Sequence, residues 1–187
     1  CHGETTNLAG AKPLRGIAVL LIVIGIMIKC TVQINAGQVG VKSLFGKVQN
    51  DILSSGLHFV NPFVEIERLD IKTQNYTMSG VHDEGALQGD DAIRVLTSDG
   101  LEVTIDLTVL YKLLPSEAPR LVRETGVDYT DKIVRPLTRT KIRDNSVYYE
   151  AVSLYSTKRD EFQQRIFKSM EDDFKRRGLV LEQLLVR

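Results

Sequence analysis

The sequence predicts an α+β fold of antiparallel strands, then helices and a closing strand, preceded by a single transmembrane helix. Three patterns carry this prediction. Residues Gly16 to Ile28 form an uncharged, mostly aliphatic run, Leu101 to Tyr111 alternate apolar and polar side chains, and apolar residues recur at every fourth position from Phe162 to Phe174. Alternation is typical of a strand with one buried face, and a four-residue repeat is typical of a helix with one buried face.

Composition limits the classes of function. The 187 residues include 24 basic and 24 acidic side chains, so the formal net charge is zero. This balance provides no general attraction to nucleic acid or to an anionic surface, and we expect no nucleic-acid partner. The only cysteines are Cys1 and Cys30, which excludes a disulfide framework. Cys30 adjoins the apolar run, where an unmodified thiol and an acylated one are both possible.

The apolar run predicts a membrane anchor. A helix over 16–28 would cover only ~20 Å of a hydrocarbon core of about 30 Å. The flanking Arg15 and Lys29 have long aliphatic stems that let their charges reach the interface, which lengthens the usable span. We therefore predict a tail over 1–13 and an anchor over 14–31. The predicted anchor residues are Gly16, Leu20, Leu21, Ile24 and Ile28. A cleaved signal peptide is the alternative.

Short strands separated by glycine follow the anchor. Residues 32–44 predict a β-hairpin, and residues 56–63 predict a short apolar strand that ends at a proline. Residues 64–78 are extended, and their apolar side chains change face near Arg68, which predicts a β-bulge. The Asp99-Gly100 turn predicts that residues 93–97 pair with the long strand over 101–111.

The loop over 79–91 is rich in glycine and acidic residues. His82 and its neighbouring carboxylates could be taken for metal ligands. Their spacing matches no calcium-binding loop, and a solvated surface turn explains them better. We therefore predict no metal site.

Two helices open the second half. Ser116 is suited to cap a helix that runs through residue 125, and Gly126 is suited to end it. A second helix is predicted from residue 128 or 130 to about residue 143. Pro136 lies inside this helix and predicts a kink.

The third predicted helix has the strongest pattern. Thr157 and Asp160 resemble a capping box at its start, and Gly178 lies where a C-terminal cap belongs. Residues 179–186 return to strand character, which gives the closing strand of the fold.

No catalytic or cofactor-binding pattern is present in the sequence. It has no nucleophile elbow, phosphate-binding loop or paired cysteines, and its histidines are isolated. Basic and acidic residues are interleaved on the predicted helices, which favours ion pairs within or between subunits over nucleic-acid binding. The candidate oligomer contacts are Arg139, Arg143, Arg159, Lys168 and Glu171.

From about residue 35 onward the chain resembles an SPFH, or band 7, domain of the prohibitin and stomatin superfamily. The order and spacing of several segments over about 150 residues carry this resemblance. The straight apolar run directly before the domain looks more like a prohibitin than a stomatin. The segments are Asn35 to Val41, Phe45 to Lys47, Gly56 to Phe63, Thr97 to Asp106, Tyr111, Arg139 to Arg143, Tyr155 to Arg159 and Gly178 to Leu185.

The resemblance implies a scaffold without enzymatic activity or cofactor. SPFH proteins assemble laterally on a bilayer and often associate with a membrane AAA protease, so the expected partners are lipid, further copies or relatives of the chain, and such a protease. Resemblance to prohibitins favours a domain on the non-cytosolic side, in a periplasm or intermembrane space. Phe59 and Phe63 are the candidate membrane contacts.

Two other classes of function remain open at this point. A hydrolase or protease component would depend on a polar side chain such as His58 or Ser98, and a monomeric lipid-binding module would bind vesicles without assembling. Members of the family continue into a coiled-coil helix after the closing strand, whereas this sequence stops at Arg187, so we expect it to be part of a longer chain.

Overall fold

The structure is a computed structural model, and it describes residues 17, 20, 21, 24, 25, 29–80 and 91–186. Within these residues the chain forms antiparallel strands, then helices, then a last strand, which confirms the predicted α+β fold. The strands are β1 (Thr31–Ile34), β2 (Gln38–Leu44), β3 (Lys47–Leu53), β4 (Gly56–Phe59), β5 (Val64–Asp70), β6 (Gln74–Met78), β7 (Ile93–Leu96), β8 (Glu102–Ile105), β9 (Leu107–Leu113) and β10 (Leu179–Val186). The helices are α1 (Ala118–Glu124), α2 (Arg135–Ser146), α3 (Ala151–Tyr155) and α4 (Arg159–Arg176), with a 3₁₀ turn (Pro115–Glu117) and a π-helical turn (Thr130–Val134).

The strands fall into two regions. In the first, β2 lies between β3 and β5, and β1 pairs with β4. In the second, β9 lies between β10 and β6, and β7 pairs with β8. The predicted hairpin over 32–44 is wrong in its pairing: β1 is a strand, but its partner is β4, and β2 forms its hairpin with β3.

The predicted bulge near Arg68 is also wrong. The β2–β5 register is continuous from Gln38 opposite Asp70 to Leu44 opposite Val64. The change of apolar face arises because each face of β5 makes an apolar contact at one point. Leu69 packs into the main core on one face. On the opposite face, a Cβ on Gly40 of β2 would lie 3.0 Å from Ile66 of β5 and 2.9 Å from Ile34 of β1. The glycine at this position therefore lets β1 pack closely on the sheet.

The predicted strand over 101–111 is interrupted at Asp106. Before it, β8 pairs with β7 across the Asp99-Gly100 turn, as predicted. After it, β9 pairs with β6 and β10. The Asp106 carboxylate accepts hydrogen bonds from Ser79 Oγ at 3.2 Å and Gly80 N at 3.1 Å, so it ties the break to the end of β6. The predicted buried face is present from Val103 to Tyr111.

The ends of the first two helices differ in part from the prediction. A 3₁₀ turn precedes α1 and no side chain caps the helix, so the Ser116 cap is wrong. Gly126, at φ +92°, ends this segment as predicted by donating its N–H to the Leu121 and Val122 carbonyls. A π-helical turn precedes Pro136, and in it the Arg135 N–H donates to the Thr130 carbonyl five residues earlier. The kink at Pro136 stays a prediction.

The long helix α4 covers the β10–β9–β6 sheet. The residues that recur at every fourth position of α4 are buried as predicted. Gly178 follows the helix at φ +78°. Thr157 and Asp160 form no capping box, because α4 begins at Arg159 with no side-chain cap. The short helix α3 was not predicted. The buried repeat consists of Phe162, Ile166, Met170 and Phe174.

Aromatic rings join the sheet to the helices. The Tyr111 ring meets that of Phe174 edge-on at 6.3 Å and that of Tyr129 at 6.4 Å, and Tyr149 meets Phe162 at 5.3 Å. The Tyr111 hydroxyl is 2.8 Å from Thr130 Oγ1, which satisfies this buried polar group. Burial raises the pKa of Tyr111 to about 12, so the hydroxyl keeps its proton at physiological pH.

Candidate membrane-facing surface

Four large apolar side chains are exposed in the first region, and we name them the apolar rim. The exposed fractions are 85% for Phe45, 64% for Leu57, 73% for Phe59 and 67% for Phe63. Grouped exposed apolar residues of this size are typical of a surface that contacts a partner or a membrane.

Strand pairing gathers the rim at one end of the domain. Thr31, the first residue of β1, lies opposite Phe59, and the Val60 N–H donates to the Cys30 carbonyl at 2.7 Å. The chain therefore passes from residues 29–30 into the domain directly beside Phe59. We name this the Thr31 end.

Phe45 reaches the same end through the β2–β5 pairing. Leu44 lies opposite Val64, so the turn after β2 adjoins the segment before β5. The rings of Phe45 and Phe63 lie 6.2 Å apart as a result. Phe63 is further oriented by Asn61, whose side-chain oxygen accepts the Phe63 N–H at 3.1 Å.

The backbone of Phe45 is unusual. Phe45 and Gly46 form the two-residue turn between β2 and β3, with φ angles of +49° and +80°. Positive φ at both positions is the requirement of a type I′ turn, which favours Asn-Gly or Asp-Gly because a Cβ is strained there. The turn therefore holds a strained, almost fully exposed phenylalanine, a combination that folding of the domain does not require.

Sequence reasoning identified Phe59 and Phe63 but missed Phe45 and Leu57. The signal for Phe45 was present in the sequence, since it precedes a glycine between two strands at a position where a short polar residue is favoured. Leu57 lies two residues before Phe59 on the same strand, so both side chains point to the same face.

The predicted anchor lies mostly outside the described part of the chain. Gly16 and Ile28 are not among the described residues. Leu20, Leu21 and Ile24 are helical and between 45% and 63% exposed, so the domain does not bury them. Among the residues that the structure describes, no helix combines the length and hydrophobicity needed to cross a bilayer.

Three of the five candidate oligomer residues have partners within the chain. Arg139 contacts Asp91, Arg159 donates to the Val186 carbonyl, and Glu171 pairs with Lys175 at 2.7 Å. Arg143 and Lys168 are exposed. Arg139 and Arg143 lie on α2, and the other three lie on α4. Their role in oligomer contacts stays a prediction.

Asp91 is the centre of a charge cluster in the second region. It is only 3% exposed, and it accepts hydrogen bonds from Arg135, at 2.5 Å, and from Arg139. Arg139 also donates to the Asp91 backbone carbonyl at 2.9 Å. Hydrogen bonding to Asp91 raises the pKa of Arg135, and burial raises the pKa of Tyr76 to about 12. The cluster fixes the segment before β7 onto α2.

Two residues were proposed for the alternative chemistries. His58 Nε2, on β4, lies 2.7 Å from the Ser54 carbonyl, and the backbone N–H of Ser98 donates to the Tyr149 carbonyl at 2.8 Å. His82, from the acidic loop, lies outside the described residues. Within residues 29–80 and 91–186, no three metal-ligating side chains form a cluster.

The chain is similar to a known protein and to a protein family. The chain is 22% identical over 143 residues to "Mitochondrial prohibitin complex protein 1" of Caenorhabditis elegans, which covers 76% of this chain and 47% of that protein. This chain therefore spans about half the length of that curated relative. Residues 32–187 match the SPFH domain / Band 7 family, so the chain belongs to that family, as its sequence motifs indicated.

Proposed function

We propose that this protein is a membrane-anchored scaffold, with a tail over 1–13, an anchor over 14–31 and an SPFH domain over 32–187 whose apolar rim rests in the bilayer surface. Family membership supports the scaffold, and the position of the rim supports the membrane contact. The observation that carries the proposal is the gathering of Phe45, Phe59 and Phe63 beside Thr31, where the predicted anchor joins the domain.

The rim gives the domain a second membrane attachment. Full burial of a phenylalanine side chain contributes about 1.5–3 kcal/mol, and partial insertion at the interface contributes less. Several rim residues together still stabilise one orientation of the domain against the bilayer, because the anchor already holds them at the surface. The anchor retains the protein, and the rim fixes how the domain lies.

The scaffold proposal includes self-association and a partner. The named relative is a protein of a prohibitin complex, which supports lateral assembly of this chain with itself or with relatives. The exposed Arg143 and Lys168 remain available for contacts between subunits. A membrane AAA protease as partner, and a domain in a periplasm or mitochondrial intermembrane space, extend the family resemblance to this chain. We assign it no enzymatic activity.

Tryptophan reporters test the membrane contact. The chain has no tryptophan, so Phe59→Trp introduces a single reporter into the rim. In vesicles containing lipids brominated on the acyl chain, we expect its fluorescence to be blue-shifted and quenched. Tyr155→Trp is the matched control, because Tyr155 is 69% exposed but lies on α3, in the other region. Equal quenching of the two reporters would contradict the proposal.

Assembly has a separate test. Native mass spectrometry of the full-length protein extracted in mild detergent should show oligomers. A monomer that retains lipid contact through Phe59→Trp would favour the alternative, a lipid-binding module that does not assemble. Protease protection in intact cells or organelles would establish the side of the membrane on which the domain lies.

A further inference from the structure

An open groove of about 1000 Å³ lies between β3 and α1. One part of its wall is apolar, formed by Leu44, Val48 and Val122. Lys47 and Arg123 supply two positive charges, and the lining formed by described residues includes no carboxylate. An apolar wall beside uncompensated positive charge is suited to a ligand that is itself amphipathic and anionic.

Arg123 is held in the groove by a neutral partner. Its Nη2 donates to the Asn50 side-chain oxygen, which orients the guanidinium without neutralising it. Among the described residues, no ion pair involves either Arg123 or Lys47. An oriented guanidinium with donors to spare is suited to bind phosphate oxygens in a bidentate manner, and a lysine ammonium adds a point charge.

The groove opens beside the apolar rim. Leu44 and Gly46, which line it, are the neighbours of Phe45 in the turn between β2 and β3. Lys47 begins β3 directly after this turn. When Phe45 rests in a bilayer surface, the mouth of the groove therefore lies at the depth of lipid headgroups. This placement rests on the proposed function, whereas the lining of the groove does not.

We infer that this groove binds the headgroup of an anionic phospholipid taken from the bilayer beneath the rim. Lys47 and Arg123 contact the phosphate oxygens, and the apolar wall packs against the glycerol and the first acyl carbons. The chain has zero formal net charge, so a preference for anionic lipid must come from a local site such as this one.

The test uses the full-length protein in mild detergent with added lipid. Native mass spectrometry should show phosphatidylglycerol binding more tightly than phosphatidylcholine, which carries the same phosphate but no net charge. In the variant Lys47→Glu/Arg123→Glu, we expect the affinity for phosphatidylglycerol to fall about 30-fold, from the loss of two cations near an anionic group. Lys47→Gln/Arg123→Gln provides a milder version if charge reversal disturbs folding.

Lys158→Glu/Arg177→Glu is the matched control, since both side chains are exposed and flank α4. This control variant should keep the preference for phosphatidylglycerol over phosphatidylcholine. An unchanged preference in the groove variants would overturn the inference. Equally tight binding of glycerol 3-phosphate would also overturn it, by assigning the groove to a free phosphate compound. Quenching of Phe59→Trp in the groove variants reports separately on the rim, so loss of lipid preference with retained quenching supports both the groove and the rim.

Discussion

The two regions of the domain bury their phenylalanines very differently. In the second region, from β6 to β10, Phe162 and Phe174 are enclosed with Tyr111, and each is no more than 1% exposed, although Tyr148 and Tyr155 lie at the surface. In the first region, from β1 to β5, the phenylalanines are the most exposed large residues, and the buried positions are aliphatic, such as Ile34 and Val41. The second region therefore encloses its phenylalanines in a core, whereas the first leaves its phenylalanines at the surface.

The largest expected effect comes from one substitution made in both regions. Phe174→Ala removes a fully buried ring that meets Tyr111, so we expect the free energy of unfolding to fall by about 3–5 kcal/mol. Phe45→Ala removes a ring that is 85% exposed, so it should change the free energy of unfolding by less than about 0.5 kcal/mol. Urea unfolding followed by circular dichroism measures both. Similar losses in the two variants would contradict the contrast between the regions.

The charge cluster gives the next largest effect. Asp91→Asn leaves Arg135 and Arg139 facing each other without their carboxylate, and we expect a loss of about 3 kcal/mol in unfolding free energy. The first region offers a matched control in Asp51→Asn, because Asp51 pairs with Lys42 and its side chain is 64% exposed. That change should have a much smaller effect, because solvent screens this exposed ion pair. A small loss for Asp91→Asn would mean that the arginines find other partners.

The sequence predicted the second region better than the first. The α4 repeat, the Asp99-Gly100 hairpin and the closing strand depend on local patterns, and each is present in the structure. The pairing of β1 with β4 joins residues more than twenty apart, and no local pattern in β1 identifies its partner. The break at Asp106 depends likewise on contacts with Ser79 and Gly80.

The candidate surface was predictable only in part. Phe59 and Phe63 stood out because they flank a proline in a segment that resembles the family. Their meeting with Phe45 depends on the β2–β5 register, which the sequence did not reveal. The strain at Phe45 was indicated only by a phenylalanine before a glycine between two strands, and the positive φ angle establishes it. The sequence also did not reveal the partners of Arg139 and Arg159, because each partner lies far from its arginine along the chain.

A smaller effect concerns pH in the second region. Hydrogen bonds from Lys141 and Arg176 lower the pKa of Asp173, which links α2 to α4. Because the folded-state pKa lies below the unfolded value of about 3.9, this stabilisation is present above that value and is lost as the pH falls through the lowered pKa. Asp173→Asn should therefore flatten the acid limb of the stability curve below about pH 5. Asp172→Asn, at the exposed neighbouring position, is the control substitution.

The last prediction concerns the strained turn of the first region, where we expect a substitution to raise the free energy of unfolding instead of lowering it. Asn accepts positive φ more readily than Phe, so Phe45→Asn should raise the unfolding free energy by about 0.5–1 kcal/mol. The same change removes a rim ring, so quenching of the Phe59→Trp reporter by brominated lipid should weaken. Phe63→Asn removes the other ring of the pair without relieving strain at Phe45, and it should weaken quenching with no gain in stability. Stabilisation by Phe45→Asn with unchanged lipid contact would mean that the strain at Phe45 does not serve the membrane.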